Sequence, residues 1–178
     1  MGKEQYQNIY DNEEWYGNES INRSPGVRLL PIYEKFIYGK VVELGCGRGG
    51  VVRALKNKGF DCVGYDQIDL NNGMLVGDIT SDLMVTGDTV ICIDVIEHID
   101  DIGLSGLFSN FKKFNRQIFS IHNGPSLYNG VDLHINRKEF VDWEKIIFEY
   151  GFVIESQQKI NDEQWLYVSN FNNKNINP

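Results

Sequence analysis

The chain has 178 residues, 42% of them hydrophobic and 24% charged, which is ordinary globular composition. That length supports one domain with a sizeable core and excludes a dinucleotide-binding domain joined to a separate substrate domain. With 17 basic and 25 acidic residues the net charge is −8, which disfavours broad attraction to nucleic acid or an anionic membrane.

The N-terminus is polar, without the apolar core of a secretory signal, and no apolar run approaches a membrane span, so a cytoplasmic protein is expected. Residues 1–25 carry Tyr6, Tyr10, Trp15 and Tyr16, then Arg23-Ser24-Pro25-Gly26. Such a segment either closes over a site as a lid or covers a helix layer. Residues 26–170 then read as one domain. Val41-Val42-Glu43-Leu44-Gly45-Cys46-Gly47-Arg48-Gly49-Gly50 is a buried strand that empties into a glycine turn at a helix N-terminus. Residues 51–58 form that helix, and Gly59 closes it. A second strand runs over 60–65 and ends at Asp66, and a third over 74–76 precedes Gly77-Asp78. The connection between these two strands is too short for a full helix.

Thr89-Val90-Ile91-Cys92-Ile93 is the near-continuous apolar run of a central parallel strand. Residues 101–115 predict a helix with Ile102, Leu107, Phe108, Phe111 and Phe114 on its apolar stripe. Lys112, Lys113 and Arg116 form the densest basic cluster, read as a solvated helix face. A fifth strand covers 117–121. Asn136 is placed to cap a helix over 137–150, with Phe140, Trp143, Ile147 and Phe148 facing inward. Residues 152–156 and 165–169 are strand-like, and the short Asn161-Asp162-Glu163 turn between them forces antiparallel pairing. Residues 171–178 read as a frayed tail. The expected fold is α/β: a doubly wound, mostly parallel seven-stranded sheet with an antiparallel C-terminal edge strand. Cys46, Cys62 and Cys92 lie in or beside strands and read as buried reduced thiols.

Gly45, Gly47 and Gly50 also satisfy the dinucleotide pattern G-x-G-x-x-G. Glu43 argues against it. A carboxylate two residues before the first glycine repels a pyrophosphate and attracts an ammonium such as that of S-adenosylmethionine (SAM). Four signals stand in order at C-terminal strand ends: Glu43-x-Gly45-x-Gly47-x-Gly49, Asp66, Gly77-Asp78-Ile79 and Asp94-Val95-Ile96-Glu97-His98. Together they resemble the class I SAM-dependent methyltransferases, and within them the small ubiquinone-biosynthesis-like branch.

The resemblance implies a Rossmann-like methyltransferase fold with SAM as cofactor and S-adenosylhomocysteine as product. It also implies roles for single residues. Glu43 would hold the methionine ammonium, and the backbone of Gly45, Cys46, Gly47 and Gly49 would line the methionine part. Asp66 would accept from both ribose hydroxyls. Asp78 would accept from the adenine amino group, the Ile79 amide would donate to the ring, and Asp94 would lie beneath the methionine.

Methyl transfer to a hydroxyl needs the acceptor aligned and its proton removed, and histidine is the natural base near neutral pH. All 3 histidines, His98, His122 and His134, fall in loops at one sheet edge. His98 and His134 are the expected catalytic pair. Asp94, Glu97, His98 and His134 also resemble the metal site of small-RNA 2′-O-methyltransferases and, in part, that of ubiquinone-type O-methyltransferases. A divalent metal is thus possible, but the expectation is transfer without one. The expected acceptor is an O or N atom of a small molecule, on a monomer or weak dimer. The competing readings are a non-catalytic SAM-binding partner protein, a 2′-O-RNA methyltransferase and an NAD-dependent oxidoreductase.

Overall fold

A computed structural model describes residues 3–11 and 24–171. Helix α1 (Lys3–Asp11) precedes α2 (Pro25–Tyr33), which Ser24 caps by accepting from the Val27 amide at 3.3 Å. Then follow β1 (Val41–Leu44), α3 (Gly50–Asn57), β2 (Cys62–Asp66), β3 (Leu75–Val76) and β4 (Thr89–Cys92). The second half holds α4 (Asp101–Phe111), β5 (Arg116–His122), β6 (Leu127–Tyr128), β7 (Val131–Asp132), α5 (Phe140–Glu149), β8 (Phe152–Asn161) and β9 (Gln164–Phe171).

Seven strands form one sheet in the order β3-β2-β1-β4-β5-β9-β8, and β6-β7 is a separate hairpin. The first five strands are parallel; β9 runs antiparallel to both β5 and β8. The expected hairpin therefore supplies the antiparallel element at the C-terminal edge. Its second strand is the inner one, so β8 is outermost.

Alternation along each strand builds two cores. Val42, Val90, Cys92, Phe119 and Tyr167 face α4 and α5, where they meet Leu104, Phe108, Phe111, Trp143 and Ile147. Val41, Ile91, Ile118 and Val168 face α2 and α3, where they meet Leu29, Tyr33, Val52 and Leu55. Central strands covered on both faces carry few polar side chains for this reason.

Several sequence expectations need correction. Ile102 is 86% exposed, because it sits in the first turn of α4 beyond the sheet, and Leu104 takes its place in the core. Phe148 is 69% exposed, so α5 is anchored by Trp143 and Ile147 with Phe140 half-buried. Asn136 does not cap α5. Its amide donates to the Ile99 carbonyl (2.8 Å) and to Asp101 (3.0 Å), and the helix starts later, with Glu139 at the cap position. Asn170 and Phe171 pair in β9 and are not frayed; of the expected tail, 172–178 lie outside the described residues. Trp15, Tyr16 and Arg23 of the aromatic segment also lie outside them.

Other expectations hold. The β2–β3 connection has no helix, and the three cysteines are buried and free. The basic cluster is a correction: it is no solvated helix face, since Lys112 and Lys113 follow α4 and Arg116 opens β5, with Lys113 paired to Asp82 and Arg116 to Glu155. No helix among the described residues is long and apolar enough to cross a membrane.

Candidate active site

The turn after β1 is a run of left-handed glycines, with φ of +74° at Gly45, +50° at Gly47 and +72° at Gly49, where side chains are strained. The Tyr65 carbonyl receives both the Gly45 amide (2.8 Å) and the Cys46 amide (2.9 Å), which ties the turn to β2. Space confirms the choice of residue: a Cβ on Gly45 would stand 2.5 Å from the Val95 side chain. Cys46 is buried, its Sγ in the space above Gly64, and burial raises its thiol far from the thiolate range.

Glu43 lies under this turn, buried, and its Oε2 has no hydrogen-bond partner among the described residues. Burial pushes its carboxyl up to about 8, against an opposing hydrogen bond from the Val52 amide and with the Asp66 charge adding to the rise. An orphaned buried carboxylate oxygen beside a glycine turn fits an ammonium ligand, since no hydrogen-bond partner among the described residues satisfies it.

Asp66 is buried at the end of β2. Its carboxylate accepts from the Gly47 amide at 2.8 Å and the Ile68 amide at 3.1 Å, so it fixes the glycine turn from the neighbouring strand. The Tyr10 hydroxyl of α1 donates to the same side chain. Burial raises the Asp66 carboxyl in spite of these bonds. Asp78 is exposed, and its carboxylate is taken by its own turn: the Thr80 amide (2.8 Å), the Thr80 hydroxyl (2.7 Å) and the Ser81 hydroxyl (3.2 Å). Burial pushes this carboxyl up, but those bonds outweigh it and hold it below the usual range. Ile79 is buried, and the Asn110 amide of α4 bonds its carbonyl at 2.8 Å.

Asp94 has a left-handed backbone, φ +53°. Its Oδ1 accepts from the Ser120 hydroxyl and the Gln164 amide, both at 2.6 Å. The side chain is thus directed to β5 and β9.

The histidines do meet. The His98 and His134 rings stand edge to face with centroids 4.6 Å apart, and His122 lies 5.2 Å from His134. His98 Nδ1 bonds the Leu133 carbonyl at 2.9 Å and His134 Nδ1 the Gly124 carbonyl at 2.5 Å. A carbonyl only accepts, so each ring carries its proton on Nδ1 and leaves Nε2 with a lone pair. Burial, with His134 nearby, lowers His98 to about 4; burial, with His122 nearby, also lowers His134.

His134 Nε2 faces Oε1 of Glu97 at 3.9 Å. Glu97 is fully buried, its Oε2 is unpartnered, and burial with Asp94 nearby raises it well above the carboxylate range. Glu97, His122 and His134 each offer a ligand atom within 4.8 Å of the other two. This is the set the structure gathers, in place of Asp94, Glu97, His98 and His134.

Sequence reasoning missed three contacts here: Tyr10 on Asp66, and Ser120 and Gln164 on Asp94. The last two follow from register, since β9 starts opposite His122 and brings Gln164 to the strand-end rim. The loop after β5 is stiffened by the β6–β7 hairpin, whose Tyr128 hydroxyl donates to the Asn8 carbonyl of α1 at 3.3 Å.

Residues 19–116 match the methyltransferase domain family, more than half of the chain. No curated protein matches by sequence. Among solved structures, the chain is similar to the PH0226 protein from Pyrococcus horikoshii OT3, with TM-score 0.73 and 21% identity, over 97% of this chain and all of the other. It is also similar to the methyltransferase domain of bacterial CtHen1-C, with TM-score 0.66 and 21% identity, over 85% of this chain and 98% of that one. The glycopeptide N-methyltransferase MtfA complexed with SAM shares the fold at TM-score 0.62 and 11% identity, over 80% of this chain and 86% of that one. With the sheet order, the strand-end site and the family match in agreement, the chain belongs to the methyltransferase domain family and is an enzyme of that family.

Proposed function

We propose that the protein binds SAM at the Glu43–Asp66 rim and transfers its methyl group to an O or N atom of a small acceptor held near His98 and His134, releasing S-adenosylhomocysteine. The observation that carries this reading is the orphaned Glu43 oxygen beneath a glycine turn that Asp66 holds open. Bound there, the sulfonium supplies an activated methyl group and its own leaving group. Glu43 holds the ammonium, the backbone of Gly45, Cys46, Gly47 and Gly49 lines the methionine part, and Asp66 takes the ribose hydroxyls. Asp78 has to share its carboxylate with its turn to reach the adenine amino group, while the Ile79 amide meets the ring. Asp94 contributes backbone only, its carboxylate being engaged with Ser120 and Gln164.

His134 is the base. Its Nε2 lone pair is unprotonated near neutral pH, and Glu97 behind it is a neutral carboxylic acid through burial. His98 orients the acceptor from the adjoining face. The pairing of Glu97-His98 with His134 supports placement in the ubiquinone-biosynthesis-like branch, and we read the protein as a cytoplasmic monomer or weak dimer. Residues 1–25 act in this reading as a closing segment over the 26–170 domain. Transfer of labelled methyl from SAM to a panel of metabolites and RNA tests the reading; SAM binding without turnover on any acceptor points to a partner protein instead.

The Glu43 site has a pH signature. A carboxyl raised to about 8 is mostly protonated at pH 7 and must lose that proton to hold an ammonium. SAM affinity should therefore rise by up to about tenfold per pH unit from 6 towards 8, then fall as the cofactor's own amine deprotonates. Calorimetry in buffers of different ionisation heat checks this through the proton released on binding. Glu43→Gln should bind more weakly and lose the rising limb.

A second reading rests on Glu97, His122 and His134, whose potential ligand atoms lie within 4.8 Å of one another. Two imidazoles and a carboxylate suit magnesium, manganese or zinc acting on an acceptor oxygen. The two readings put different occupants, a proton or a cation, beside His134 Nε2. We expect a chelator to leave turnover unchanged. Loss of transfer, restored by one of these ions, would give the site to a metal.

A further inference from the structure

We propose that Tyr10 is a latch on the cofactor site: its hydroxyl occupies the ribose position on Asp66, so the nucleoside must displace α1 to bind, and that displacement uncovers the acceptor histidines. The inference rests on the SAM site proposed above and adds a device to it. The Tyr10 hydroxyl bonds the Asp66 side chain and lies 3.1 Å from where a Cβ on Gly47 would be, which is the space a bound ribose needs. Three further contacts set the helix there. The Arg48 guanidinium, inside the glycine turn, donates to the Tyr10 carbonyl at 2.7 Å; Tyr128 donates to the Asn8 carbonyl at 3.3 Å; and Ile9 is 3% exposed.

Tyr6 lies one turn earlier and on the same face as Tyr10. Its ring stands edge-on to His98, with centroids 5.9 Å apart. One short helix thus touches the ribose carboxylate with one tyrosine and the catalytic rim with another. A ligand that competes with Tyr10 for Asp66 removes Tyr6 from His98 in the same movement, so cofactor binds first and acceptor second. A hydrogen bond given up by the protein opposes binding of the nucleoside, and removing it strengthens that binding.

The sign of one substitution decides the matter. Full-length wild type and Tyr10→Phe are titrated with S-adenosylhomocysteine by calorimetry. Phe keeps the ring and its packing and deletes only the competing hydroxyl, so binding should tighten by about threefold to tenfold, the effect of one hydrogen bond. Hydrogen exchange gives a second readout. The α1 amides should exchange faster with saturating 5′-methylthioadenosine, which carries the ribose, and should not respond to methionine, which lacks it. If wild type binds the homocysteine product and Tyr10→Phe binds it equally or more weakly, or if α1 becomes protected by the nucleoside, Tyr10 is no latch and the cofactor site stands. If wild type binds neither SAM nor S-adenosylhomocysteine, the cofactor reading fails and the latch fails with it.

Discussion

Replacing His134 by alanine should lower methyl transfer by about 10²- to 10⁴-fold, the usual contribution of a positioned base, while SAM affinity changes little. The Gly124 carbonyl fixes the ring and its tautomer through Nδ1, so Nε2, 3.9 Å from Glu97 Oε1, carries the lone pair. Burial keeps the imidazole neutral at pH 7, so the basic form is already populated before the acceptor arrives. No ligand-holding contact at the Glu43–Asp66 rim involves His134, so loss of the ring acts on the chemical step. Steady-state turnover at saturating SAM, beside a separate SAM titration, checks the split. Collapse of SAM affinity with turnover intact at saturation would remove His134 from catalysis.

Asp66→Ala should weaken SAM binding by about 1–3 kcal/mol, the cost of leaving buried polar groups unpaired. Two losses combine. The ribose hydroxyls lose their carboxylate, and the Gly47 and Ile68 amides lose the acceptor that shapes the glycine turn. Release of Tyr10 from the same side chain works in the opposite direction, which keeps the net loss towards the lower end. A SAM titration against wild type, with circular dichroism to show the fold retained, measures it. Unchanged affinity would move the cofactor away from β2.

The glycine turn and its strand-end neighbours were legible in the sequence because their determinants are local. Glu43, the glycines and Asp66 stand at strand ends whose identity follows from short apolar runs, and parallel strands bring those ends together without further information. The acceptor side depends on side-chain choices made over long separations. Asn136 read as a helix cap, yet Ile99 and Asp101 captured its amide. Asp94 reads as a residue beneath the methionine, with a metal set beside His98 only a possibility, and its carboxylate is engaged by Ser120 and Gln164 from the other strands. His122 reads as one of three histidines at a single sheet edge, but its closeness to His134, with centroids 5.2 Å apart, depends on the fold. Phe148 and Ile102 show a related limit: periodicity marks a stripe but not where along a helix the sheet stops.

The place of β9 between β5 and β8 bears on how the enzyme comes into being during translation. Among the described strands the one synthesised last is an interior one, and it carries Gln164 to Asp94 while the turn before it sets Glu163 3.8 Å from His122. The parallel strands, with the glycine turn and Asp66, emerge earlier and can pair as they appear. Until residues 164–171 arrive, β8 has no neighbour among the described strands of the sheet, and Asp94 lacks its bond from Gln164. A nascent chain halted before β9 would therefore hold the glycine turn and Asp66 without the Gln164 and Glu163 that β9 and its turn bring to Asp94 and His122.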